Sequence, residues 1–241
     1  MPTPMKNFLN RYTSFASLLA MLQNREITLL SPGFWEDRND AYYMSQYKSR
    51  KELGTLLALC FSQAEETYHH WRVFTHGADG VCITFRRAQF LNALGGEERP
   101  EQRVSMSSGH AKATNAAAAR DQARREAGTA ALRFGPITYR KIADLPKLRP
   151  KLEQLPFLKR QPYQDEREFR LVYEARSEES ETKAFPIPLA CISRVTLNPW
   201  LAPPLAAALK TAIKDVRGCS GLKVYQTTLL ENERWKKAAK L

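Results

Sequence analysis

Residues 163–175 read YQDEREFRLVYEA. Three acids in the four positions 165–168 lead into EFRLVYEA, a run rich in aromatic and branched residues that reads as a strand. Alternation along such a strand puts Glu166 and Glu168 on one face and Arg167 on the other. Two readings are open. The acids form a solvated turn, with Glu168 and Arg170 as a surface ion pair worth roughly 0–1 kcal/mol, or they sit at the lip of a cleft and do chemistry.

Elements of both kinds extend outward from this strand. Phe15, Leu18, Leu19 and Leu22 recur at helical spacing after Thr13 and Ser14, either of which can cap the helix, and Asn24 ends it. Residues 27–30 form a short strand stopped by Ser31-Pro32-Gly33, and 39–53 a second helix. GTLLALCFS (54–62) and VCITF (81–85) are strands, the second fed by the turn HGADG. FGPITYRKI (134–142) is a strand and KLRPKLEQLPFLKR (147–160) a proline-interrupted basic helix. ISRVTLN (192–198) is a strand, PPLAAALKTAIKDV an amphipathic helix with Pro204 in its first turn, and GLKVYQTTL a closing strand. Helices and strands interleave without a regular β-α-β rhythm, so the fold class is α+β, with a single domain spanning 1–241. Residues 93–133 change character, first small and charged, then alanine-rich, and read as a basic helical insertion.

The chain has 241 residues, 43% apolar and 10% aromatic, enough for a full core. Its 37 basic and 25 acidic residues leave a net charge of +12, a field that favours an anionic partner, nucleic acid above all. Lys112, Arg120, Arg124, Arg125, Lys147, Arg149, Lys151, Lys159 and Arg160 are the candidate phosphate contacts. Cys60, Cys82, Cys191 and Cys219 lie far apart, three of them in apolar runs, as buried thiols of a reducing cytoplasm do. FASLLAML (15–22) is followed by Arg25 and Glu26 rather than a cleavage site, and no apolar run nears the ~20 residues of a membrane span. The expected setting is cytoplasmic, without membrane contact.

Several chemistries lack their motifs. Neither glycine-rich phosphate loop occurs, and no G-x-S-x-G elbow does. His69 and His70 are adjacent, so neither a helix nor a strand aims both at one metal, and no metal is expected. A nuclease built on His69, His70 or His76 has no accompanying acid or metal cluster.

Four segments together resemble a family. NRYTSFASLLAMLQNREITLLSP, LCFSQAEETYHHWRVFTHGADGVCITF, DEREFRLVYEA and ISRVTLNPWL follow the order of the bacterial domain of unknown function 2971. The shared features are an Arg-Tyr-Thr-Ser opening, a Cys-Phe-Ser strand end, a Trp-Arg segment, a Gly-Val-Cys-Ile strand and a Glu-x-Arg strand start. More distantly, RYTS with its helix and strand is similar to the first motif of ADP-ribosyltransferases, including the DarT-like and RNA 2′-phosphotransferase branches. Arg11, Ser62 and Glu166-Arg167-Glu168 follow the order of that fold's arginine–serine–glutamate class, although CFSQA departs from its Ser-Thr-Ser run.

That resemblance implies a split, twisted β core and NAD as substrate. It implies that Glu168 stabilises a cationic ribose and that Glu166 orients the acceptor's nucleophile. It also implies that Arg11 binds a dinucleotide phosphate oxygen, Thr13 and Ser14 hold ribose or the nicotinamide amide, and Ser62 buttresses the glutamate, with Tyr12 or Trp71 stacking on a ring. A toxin or phage-defence effector acting on nucleic acid, with an antitoxin or defence-operon partner, is the setting it suggests. The alternative is a non-catalytic basic module that binds nucleic acid or a partner. For Ser62 the local alternative is a strand-end hydroxyl bonded to backbone, for Thr13 and Ser14 a helix cap, and for Trp71 a core position.

Overall fold

The computed structural model describes residues 7–75, 77–95, 97–98 and 130–238. Lys112, Arg120, Arg124 and Arg125 lie outside the described residues, as do His76 and most of the 93–133 stretch. The fold is α+β, and the chain forms two compact units: Met1–Ile27, Phe61–Ala93 and Phe185–Leu241 make the first, Thr28–Cys60 and Leu94–Ala184 the second.

In the first unit, β1 (Phe8–Ser14) passes directly into α1 (Phe15–Asn24). The Ser17 amide donates to Ser14 Oγ at 3.2 Å, so Ser14 is the cap. The helix buries Leu18, Met21 and Leu22 and ends with Arg25 in the left-handed conformation, its amide donating to the Met21 carbonyl. β4 (Gly80–Arg86) runs antiparallel to β1, with Arg11 opposite Ile83 and Tyr12 opposite Cys82. β11 (Ile192–Leu197) is antiparallel to β4, and β12 (Val224–Gln226) parallel to β11, giving the order β12-β11-β4-β1. α3 (Tyr68–Phe74) is capped by Thr67, whose Oγ1 accepts from the His70 amide. α6 (Pro203–Asp215) opens on two prolines, which are accommodated where the first turn has no amide to satisfy.

In the second unit, α2 (Arg38–Arg50) starts at Asp37, whose carboxylate accepts from the amides of Asn39 and Asp40. β3 (Thr55–Ser62) gives its first six residues to this unit, β9 (Glu168–Ala175) its whole length, and the order β3-β9-β6-β5 adds β6 (Ala131–Pro136) and β5 (Glu97–Glu98). Phe134 faces Leu171 across the antiparallel β6–β9 pair. β7 (Thr138–Arg140) and β8 (Leu158–Arg160) form a separate parallel pair in which Lys159 is the partner of Tyr139. Met44, Tyr47, Leu56, Ile137, Phe157 and Val172 fill the core.

One expected helix is absent. Across 147–160 the chain makes α5 (Leu145–Leu148), then a 3₁₀ stretch Leu152–Phe157, then β8. Arg149 sits at φ 39°, left-handed. Pro150 disfavours the right-handed helical conformation for the residue before it, so the helix stops there. The strand expected over 134–142 is likewise split between β6 and β7 at Ile137.

Candidate active site

β9 begins at Glu168, and what surrounds that carboxylate defines the site. A 3₁₀ turn, Gln161–Glu166, leads into it through Arg167, held at φ 44°. Glu166 is therefore not part of the strand, and pleat alternation does not align it with Glu168. The turn does so instead: Lys159 Nζ donates to Glu166 Oε2 at 2.7 Å and to Glu168 Oε2 at 3.1 Å.

Arg170 occupies the other side of Glu168. Its Nε donates to Glu168 Oε1 at 2.7 Å, Nη1 and Nη2 to the two oxygens of Asp40 at 3.0 and 2.6 Å, and Nη1 also to the Pro156 carbonyl at 2.9 Å. The guanidinium lies 4.6 Å from the Trp35 ring centroid. Tyr163 covers Lys159 in the same way at 4.7 Å. Tyr139 Oη accepts from the Glu168 amide at 2.8 Å and the Glu168 carbonyl accepts from the Ile137 amide, so the backbone of the glutamate is pinned by β7 and by the residue just before it. Arg170 is 0% exposed and Glu168 4%. The expected surface ion pair is thus a buried one, because alternation placed both side chains on the inner face and Asp40 meets them there.

Three carboxylates, Asp40, Glu166 and Glu168, share two cations, Lys159 and Arg170, and their ionisation separates. Burial pushes the Glu168 carboxyl up, but Arg170 and Lys159 outweigh it and hold the group down at about 2. For Asp40 and Glu166 burial wins, and each is raised above the ordinary carboxyl range despite its cationic neighbour. Burial alone would lower Lys159, yet Glu168 and Glu166 raise it, so it stays an ammonium. The Cys60 thiol, hydrogen-bonded to Glu168, is pushed up by burial.

The remaining candidate residues divide by unit. On β1, alternation places Arg11 and Thr13 on one face, both partly exposed, and Tyr12 on the other. Tyr12 packs edge-on against Trp71 with centroids 5.2 Å apart, in a cluster with Cys82. Trp71 is 0% exposed and its Nε1 donates to Glu66 at 2.6 Å, so its faces are taken by core neighbours rather than offered to a ligand ring. Ser14 serves as the α1 cap. Ser62, opposite Asn10, accepts from the Ala64 amide at 3.0 Å, the backbone role of a strand-end hydroxyl. Two clefts of this unit, of about 840 and 240 Å³, are lined by other residues, among them Arg25, Arg86 and Arg217.

Lys147, Arg149 and Lys151 are exposed and Arg160 half-buried, but Lys159 is committed to carboxylates rather than turned outward for phosphate. Asp40 was not among the expected site residues. Its signal was present: Asp40, Met44 and Tyr47 lie at i, i+4 and i+7, so an acid stands on the apolar stripe of α2.

Among the described residues no group of three His, Cys, Asp or Glu side chains could hold a metal ion, and no helix is long and apolar enough to cross a membrane. No disulfide joins the four cysteines.

No family model matches the chain, and no curated protein matches it in sequence. Solved structures do. Thermus sp. 2.9 DarT in complex with NAD+ aligns with a TM-score of 0.39 at 11% identity, over 94% of this chain and 96% of that one. The same protein in complex with ADP-ribosylated ssDNA aligns with a TM-score of 0.40 at 8% identity, over 94% and 97%. Likeness at this level assigns no residue of this chain a role.

Proposed function

We propose that the chain is an ADP-ribosyltransferase that uses NAD as substrate and nucleic acid as acceptor, with Glu168 and Glu166 as its working carboxyl groups. The observation that carries this reading is the pair itself. Two carboxylates held on one ammonium, one kept ionised down to about pH 2 and the other raised, are suited to different tasks. As the bond from the ribose C1′ to nicotinamide breaks, its electron pair leaves with the nicotinamide and positive charge develops on the ring. Glu168, ionised at neutral pH and fixed at a strand start, stabilises that charge. Glu166 accepts the proton of the acceptor group as its oxygen or nitrogen bonds to C1′. A toxin or phage-defence setting with an antitoxin or operon partner follows from this reading, as does a cytoplasmic location.

A second reading has its own support. Both Glu168 oxygens already accept donors, from Arg170 and Lys159, and the residue is 4% exposed. Such a cluster also suits a non-catalytic, basic nucleic-acid-binding module in which it only fixes β9. Incubation with labelled NAD and single- or double-stranded nucleic acid separates the two. A transferase releases nicotinamide and labels the acceptor, and Glu168→Gln lowers that rate by about 10²–10³. Nucleic-acid binding without nicotinamide release by the wild type sinks the transferase and leaves the binder.

A further inference from the structure

We propose that Lys159 is a positioning residue for the Glu166–Glu168 pair: its ammonium, seated between the two carboxylates, sets their mutual geometry and keeps both available to the reaction. This rests on the transferase reading above but makes a claim of its own.

The two cations of the cluster are not equivalent. Arg170 is enclosed and bonds the two oxygens of Asp40, Oε1 of Glu168 and a backbone carbonyl, so it anchors the inner side. Lys159 bonds the other oxygen of Glu168, and it alone of the two hydrogen-bonds Glu166. Asp40 Oδ2 stands 3.9 Å from the same ammonium. Lys159 is therefore the link between a strand residue and a turn residue that the backbone does not align. Its own position is fixed from behind, by β8 pairing with Tyr139 and by the Tyr163 ring over Nζ. An ammonium is suited to this place because it is a compact cation with rotatable donors, and it can shift between two carboxylates as one of them changes charge.

Among the described residues, charged groups from three elements surround Lys159. Asp40 from α2, Glu166 from the 3₁₀ turn and Glu168 from β9 favour its charge, Arg170 opposes it, and Tyr139 lies behind Glu168. Removing the ammonium leaves three carboxylates against one guanidinium. Both glutamates then become harder to ionise, because an opposite charge within hydrogen-bonding distance lowers a carboxyl by about 1–3 pH units.

The experiment uses Lys159→Met, Lys159→Ala and Lys159→Arg in the full chain, followed by carboxyl-carbon NMR titration and by nicotinamide release across pH. In Lys159→Met the Glu166 and Glu168 midpoints are expected to rise by about one pH unit or more. The acid limb of the rate profile moves up with them, and kcat falls at least tenfold with little change in KM for NAD. Lys159→Arg recovers part of kcat, and ethylammonium added to Lys159→Ala recovers part of it as well. Midpoints unmoved in folded Lys159→Met overturn the proposal, as does an unchanged kcat. If the wild type releases no nicotinamide, the transferase reading fails by itself, and the positioning role tied to it falls with it. If the wild type is active and the midpoints stay, only the role of Lys159 is lost.

Discussion

Glu168 and Arg170 show how little of a site's energetics is contained in its spacing. Their separation by two along EFRLVYEA told that both side chains face one way. It did not tell that the face is closed, because the closing group is Asp40, 130 residues away. Depth changes the expected cost of mutation. Arg170→Met strands Asp40 and Glu168 without their buried partner, and a broken buried pair costs about 3–5 kcal/mol against 0–1 for a surface one. Urea unfolding at neutral pH reads the difference. Arg170→Lys is expected to lose much of the same stability, since a point charge cannot make the forked contacts to Asp40 and reach Glu168 as well. Acid dependence follows from the same geometry. Glu168 is depressed from its ordinary 4.5 to about 2, so its stabilisation is complete above about pH 4.5 and disappears as pH falls towards 2. Asp40 and Glu166, raised in the fold, act with the opposite sign and lose stabilisation as pH rises out of the ordinary carboxyl range. Glu168→Gln is therefore expected to flatten the fall in unfolding free energy between pH 4.5 and 2. An unchanged acid limb in that variant speaks against an ionised, buried Glu168.

At the scale of elements, the sequence was most legible where one local rule acted without competition. β9 occupies the eight residues of EFRLVYEA, and α1 starts at a serine cap and stops after Asn24 as its periodicity indicates. The stretch 147–160 was illegible because two signals conflict there. Its apolar residues recur at helical spacing, while Pro150 and Pro156 forbid a continuous helix, and the prolines win. The split at Ile137 has a different origin: its amide donates to the Glu168 carbonyl, a tertiary bond that a local reading does not contain. Gly54, before β3, carries a packing requirement that no local pattern reveals. A Cβ there would stand 2.5 Å from the Glu178 carbonyl oxygen and 2.8 Å from that of Arg176, both backbone atoms. Gly54→Ala is expected to destabilise by about 1–3 kcal/mol, the range for overpacking, although alanine is the milder residue by propensity. Ser14→Ala is expected to cost about 1 kcal/mol through loss of the α1 cap. Thermal unfolding of the two variants ranks them, and a Gly54→Ala protein as stable as wild type contradicts the close approach at that corner.

For the whole molecule, charge was the clearest property of the sequence and the least located. A net +12 favours polyanions wherever the cations sit, but binding depends on which of them reach phosphate. Lys159 shows why the count misleads: it has three carboxylate neighbours and is not a free contributor to the outer field. Lys147, Arg149 and Lys151 differ from it, since all three are exposed within five residues of chain. If they contact a single strand, each neutralised phosphate contributes about 0.7 to the slope of log affinity against log salt. Changing all three to glutamine is then expected to reduce that slope by about 2, with affinity lost for every sequence alike. Because these residues lie apart from the Glu166–Glu168 pair in role, nicotinamide release without acceptor should keep its wild-type rate in the same variant. Binding titrations over a salt series measure the first effect and a hydrolysis assay the second. A slope that does not change places the phosphate contacts elsewhere on the chain, with Lys112, Arg120, Arg124 and Arg125 the next residues to neutralise.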